Sequence, residues 1–205
     1  LYVLAGITNS GKSTVSLNLS RGFASRGFKT LHVTLEDPID ETYTKLISSL
    51  SGVATETIRH FQLKDEVVTH ADKYGIQEGR KKARALTSLK IIDKVSKDED
   101  FMTLDSLVSR LKILAQQGLR MVIVDQTSHI RLDAEEGPVD DQTRAGMIAD
   151  ALFLVAKQTG IIVVAVVQIN RTGARNKAQG DRLQLSDIKD SSKWEMNAGG
   201  VIFIQ

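Results

Sequence analysis

The sequence predicts an α/β fold, a three-layer sandwich with a mainly parallel central sheet and helices on both faces. Three observations carry this. Five short runs rich in Val, Ile and Leu recur along the 205 residues, too apolar for strands with one wet face. Between most of them, apolar residues repeat at helical spacing. Glycines stand where helical patterns give way to strands, as left-handed helix caps do. Regular alternation of strand and helix gives a parallel sheet with right-handed crossovers.

The first run is Leu1–Leu4, followed by a helical pattern through Val15, Leu19 and Phe23 that ends near Gly27. Thr30–Leu35 is the second strand, and Glu36 closes its run "TLHVTLE". Asp37-Pro38 turns the chain before a helix at Asp40. Residues 53–100 carry mixed helical signals and the basic run Arg80–Arg84, which reads most simply as a solvated helix face. Leu104, Leu107, Val108, Leu111 and Leu114 form a helical stripe up to Gly118, and Met121–Asp125 "MVIVD" follows as a strand. Arg131–Gly146 is a polar, acidic loop with Asp133, Glu135, Glu136, Asp140 and Asp141. Its acidity disfavours tight phosphate contact. Met147, Ala151, Leu154 and Val155 mark another helix, ending near Gly160. Ile161–Val167 is a strand closed by Gln168, residues 171–193 are polar without a core pattern, and Val201–Ile204 is the last strand.

Composition narrows the function. Lys+Arg number 27 against Asp+Glu 25, a net charge of +2, so nucleic-acid binding would need a local patch. The absence of cysteine excludes disulfides and thiolate metal sites. No apolar run approaches the roughly 20 residues of a membrane span, and no signal peptide is visible. The chain opens on Leu1 and ends within "GGVIFIQ", which reads as one domain of something longer.

The chemistry starts at "AGITNSGKST". Gly6-x-x-x-x-Gly11-Lys12-Ser13 is a complete phosphate-binding loop, placed between a strand and a helix as the motif requires. Glycines let the backbone close on the phosphates, and the amides from Asn9 and Ser10 through Thr14 converge on them at a helix N-terminus. Lys12 supplies a cation to the β/γ-phosphates, and the Ser13 hydroxyl is a ligand for Mg²⁺. ATP or another NTP is the expected ligand. Asp125, an acid closing a hydrophobic strand, is the second metal-site candidate. Glu36 is the candidate base or water-orienting group; its plainer reading is an acid favoured at a helix N-terminus. Gln168 can hydrogen-bond a γ-phosphate and move when it leaves; its plainer reading is a polar strand end in solvent.

Together, "AGITNSGKST", "TLHVTLEDPIDETYTKLISSLSGV", "MVIVDQTSHI", "VVAVVQINR" and "LQLSDIKDSSKWEMNAGGVIFI" resemble the motor domain of DnaB-type replicative helicases along nearly the whole chain. The resemblance implies a RecA-like P-loop NTPase fold and a hexameric ring on single-stranded DNA, hydrolysing NTP at subunit interfaces. It implies Lys12, Ser13, Glu36, Asp125 and Gln168 as the nucleotide machinery. It also implies a primase or helicase loader as partner, and a cytoplasmic bacterial or phage-encoded protein. The family uses a basic residue, an acid and a glycine near the DNA backbone, which fall here on Lys189, Asp190 and Ser192. Lys replaces the usual arginine and Ser the usual glycine. The family's arginine finger falls beyond Gln205. From their own chemistry, Arg171 and Arg175 are further DNA-backbone candidates, the alternative being an exposed loop. Trp194 either stacks on a base or packs beneath that loop. The rival reading is a RecA-like regulatory or recombination ATPase that binds nucleotide and assembles without unwinding. A third is an isolated nucleotide-binding module that hydrolyses poorly for want of the in-trans arginine.

Overall fold

A computed structural model describes residues 1–63, 68–93, 103–132, 139–170, 173, 178, 180–189 and 192–204. The strands are β1 (Tyr2–Gly6), β2 (Thr30–Thr34), β3 (Leu89–Asp93), β4 (Met121–Asp125), β5 (Ile162–Gln168) and β6 (Val201–Ile204). The helices are α1 (Lys12–Ala24), α2 (Ile39–Ser51), α3 (Thr55–Gln62), α4 (His70–Ala85), α5 (Leu104–Gln116), α6 (Asp141–Thr159) and α7 (Ser192–Asn197). The strands form one sheet in the order β3-β2-β4-β5-β1-β6, and every pairing is parallel.

The period-2 pleat sorts each strand between two cores. Val3, Ala5, Leu31, Val33, Val122, Val124, Val163 and Ala165 point to the face covered by α5 and α6, where Leu107, Leu111, Ile148 and Leu152 complete the larger core. Leu4, Met121, Ile123, Val164 and Val166 point the other way, against Leu19 and Phe23 of α1. Leu17, Leu46 and Ile91 extend that side over β3. A satellite cluster of Ile47, Ile58, Val68 and Ile76 joins α2, α3 and α4. Gly27, Gly118 and Gly160 each take a positive φ, and those at 118 and 160 end α5 and α6 as the sequence predicts.

Three expectations need correction. β3 lies inside the stretch read as mixed helix; its run is short and its outer half is wet, so it lacks the unbroken apolar signature of its neighbours. Its last residue, Asp93, accepts from Ile39 N at 3.0 Å and so caps α2 from across the sheet. β2 stops at Thr34, leaving Glu36 two residues beyond it in an exposed bend. Residues 171–193 do contribute to the core: Leu183 and Ile188 are buried, as is Trp194 just after them at 1% exposure. Of the two readings of Trp194, the structure therefore bears out packing. On α4, Lys81, Lys82 and Arg84 are exposed, and Arg80 lies 5.1 Å from the Phe61 ring centre, in keeping with a solvated face.

Candidate nucleotide site

The pleat that sorts the core also aims the site. In β4, Asp125 has the parity of Met121 and Ile123, so it faces α1. Gly6 and Gln168 continue the parity of Leu4 and of Val164 and Val166, and they are register partners between β1 and β5. Three strand ends thus converge on the N-terminus of α1, at the carboxyl edge where parallel sheets bind ligands. A cavity of 250 Å³ opens there, walled by Asn9, Gly11, Lys12, Ser13, Thr14, Glu36 and Gln168.

The loop between β1 and α1 has the backbone that its glycines permit. Gly11 caps α1 at φ 89°, and Asn9 sits at φ 61°. A Cβ on Gly6 would lie 2.6 Å from Ser10 Oγ and 2.9 Å from the Ile204 carbonyl oxygen of β6. Only glycine fits. The Lys12 ammonium donates to the Ile7 carbonyl at 2.7 Å, across the loop. Burial lowers its pKa, and Asp125 and Glu36 pull it back up.

Asp125 is 3% exposed. The Ser16 hydroxyl lies 2.9 Å from both Asp125 Oδ2 and the Ser13 carbonyl oxygen, so one α1 serine ties the loop to β4. Burial raises the Asp125 pKa, and hydrogen bonds from Ser16 and Ser13 oppose the rise. Its Oδ1 is buried and, among the described residues, has no hydrogen-bond partner. A buried anionic oxygen left unpaired is costly, and a hard cation would satisfy it. Ser13 beside it offers a second oxygen, so the donor set fits Mg²⁺.

Glu36, although past its strand, still reaches the cavity, where its Oε2 accepts from Gln126 Nε2 at 3.3 Å. Asp37 and Lys45 form an ion pair at 2.6 Å on the same wall. Sequence reading missed Gln126, Lys45 and Ser16 as site residues. The signal for Lys45 and Ser16 was helical phase: Ser16 falls one turn after Ser13, and Lys45 two turns after Pro38.

Gln168 is joined to Lys189 through the backbone. Its carbonyl accepts from Lys189 N at 2.9 Å, Asn170 N donates to Asp187 O at 2.7 Å, and Ile169 bridges Ile188. The Lys189 ammonium lies 3.3 Å from Asp141 Oδ2 at the start of α6. Ser192 is exposed on the first residue of α7. Arg171, Arg175 and Asp190 lie outside the described residues, as do Lys177, Asp133, Glu135 and Glu136. Of the acidic loop, Asp140 caps α6 by accepting from Thr143 N at 2.9 Å. No helix among the described residues is long and apolar enough to cross a membrane.

The sequence model of the DnaB-like helicase C terminal domain matches residues 1–205, the whole chain. The chain belongs to that family. A solved ATPase domain superposes with a TM-score of 0.83 at 17% identity, over 98% of this chain and 68% of its own. A DnaB-like replicative helicase, solved with its interactions with primase, superposes at 0.85, also at 17% identity, over 99% of this chain. This chain spans 46% of that protein's length. At such identity these two show the fold, a RecA-like α/β domain with a parallel sheet. No curated protein matches by sequence. Membership of this helicase family carries with it a nucleotide-dependent ATPase character, and Mg²⁺ is the family's usual metal.

Proposed function

We propose that residues 1–205 act as one ATPase core, the motor of a replicative DNA helicase that hydrolyses NTP to move along single-stranded DNA and unwind duplex. The observation that carries this is the convergence of Lys12, Ser13, Glu36 and Gln168 on one cavity, with Asp125 beside Ser13. The loop amides from Asn9 to Thr14 and the Lys12 ammonium hold the phosphates. Ser13 and Asp125 would hold Mg²⁺, which when bound would neutralise charge developing on the phosphates. Glu36 orients a water and takes its proton as the water oxygen attacks the γ-phosphorus, and the bond to the bridging oxygen of the nucleoside diphosphate breaks. Gln168 holds the γ-phosphate, and its loss is passed through the Gln168–Lys189 backbone bond to the DNA side.

DNA is held without sequence readout, by Lys189, Asp190 and Ser192 together with Arg171 and Arg175. The domain works in a hexameric ring, where a neighbouring subunit completes the site with an arginine. A primase or a helicase loader is its protein partner, in the cytoplasm of a bacterium or a phage-infected cell.

The test is the steady-state ATPase rate of the full-length protein with and without single-stranded DNA. Strong stimulation supports the motor. Nucleotide binding with no response to DNA replaces it with an assembly or switch ATPase of the same fold.

A further inference from the structure

Gln126 follows Asp125 at the end of β4, and its side chain is buried at 1% exposure. A buried primary amide is costly unless it is bonded, and this one is bonded at both ends. Nε2 donates to Glu36 Oε2 at 3.3 Å, and Oε1 accepts from Ser128 Oγ at 3.2 Å. The two partners decide which way the amide faces. An ionised carboxylate only accepts, so the NH₂ group must meet it, which leaves the carbonyl end for the hydroxyl. The anchor is firm, because Ser128 sits in the short 3-10 turn Thr127–His129, and Thr127 Oγ1 donates to Val166 O of β5 at 3.1 Å.

Glu36 has no such support of its own. It lies past the end of β2 in an exposed bend, on a side chain with three rotatable bonds. Among the described residues, Gln126 is the hydrogen-bond donor that holds its carboxylate. We infer that Gln126 is a positioning residue for Glu36, held in turn by Ser128, and that it sets the carboxylate where it can orient the attacking water. An amide suits this task better than a cation. The amide donates to the carboxylate at one end and accepts from the Ser128 hydroxyl at the other, whereas a lysine or arginine has donors only and could not be held by that hydroxyl in the same way.

The inference rests on the reading of Glu36 as the water-orienting acid, and the test keeps the two apart. In the full-length protein, DNA-stimulated turnover at saturating ATP and the Kd for a fluorescent ATP analogue are measured side by side. Gln126→Met, which keeps the length and bulk of the side chain, is expected to lower turnover about 10- to 100-fold and leave the Kd within about twofold. Ser128→Ala should lower turnover severalfold, and Ser128→Thr, which keeps the hydroxyl, should restore it. The Ser128 pair decides the matter if Gln126→Met does not fold. Parent-like turnover in Gln126→Met and Ser128→Ala, with Glu36→Gln inactive, overturns the role of Gln126. So does a loss of nucleotide binding as large as the loss of turnover. Parent-like turnover in Glu36→Gln overturns the reading of Glu36, and the role of Gln126 falls with it.

Discussion

Acidification should weaken this domain through His32. His32 lies in β2, 2% exposed, with Nδ1 2.9 Å from Ser20 Oγ of α1. Burial lowers its pKa from 6.5 to about 4, against a smaller upward pull from Asp37. Between those two values the unfolded chain binds a proton at His32 that the folded chain does not. The stability is therefore complete above the unfolded pKa and is lost as pH falls from about 6.5 towards about 4. The gap of about 2.5 units, at 1.36 kcal/mol each, caps the loss at about 3 kcal/mol, with about 2 kcal/mol gone by pH 5. The assay is urea denaturation followed by circular dichroism from about pH 7 to about pH 5, on the parent and on His32→Gln. The variant loses packing and starts less stable, but it carries no titrating ring at this position. The gap between the two proteins should close by about 2 kcal/mol over that window. Parallel stability curves would refute the reasoning, because they would mean that the buried ring is not held neutral.

Other perturbations address the site. Gly6→Ala should cost about 1–3 kcal/mol and weaken nucleotide binding about tenfold, since Ser10 can rotate away from a new methyl but the Ile204 carbonyl cannot. Thermal denaturation and nucleotide titration read both, and parent-like values would show that the loop has room. Asp125→Asn keeps the shape and removes the buried charge whose pKa burial raises, so the melting temperature without magnesium should rise. Magnesium-dependent tightening of nucleotide binding should vanish in the same variant; a lower melting temperature would contradict the cost assigned to that charge. Gln168→Ala should bring the ratio of DNA-stimulated to unstimulated ATPase down towards one. A ratio equal to the parent's would remove Gln168 from the path to Lys189.

The strands with unbroken apolar runs were legible because both their faces are covered, and Val122 to Val124 or Val163 to Val166 read as β with nothing else consulted. β3 was not, because an edge strand with Lys90 exposed needs apolar residues only at its inner end. Lys12, Ser13 and Asp125 were legible because strand, loop and acid recur as local patterns. Gln126 was not, because its partner Glu36 lies 90 residues away and only folding brings the two within reach.

By itself, then, the sequence determined the layer architecture, the loop signature between β1 and α1, and the edge of the sheet on which that loop lies. Those properties follow from local sterics and from periodicities of two and 3.6, which each segment carries alone. The tertiary structure alone decided the strand order β3-β2-β4-β5-β1-β6, which sets Gln168 beside Gly6 and Asp125 beside Thr34. It also buried Trp194, paired Lys189 with Asp141, and set Gln126 against Glu36. Such contacts join residues far apart in the chain, and their geometry exists only once the sheet is assembled and its two faces are covered.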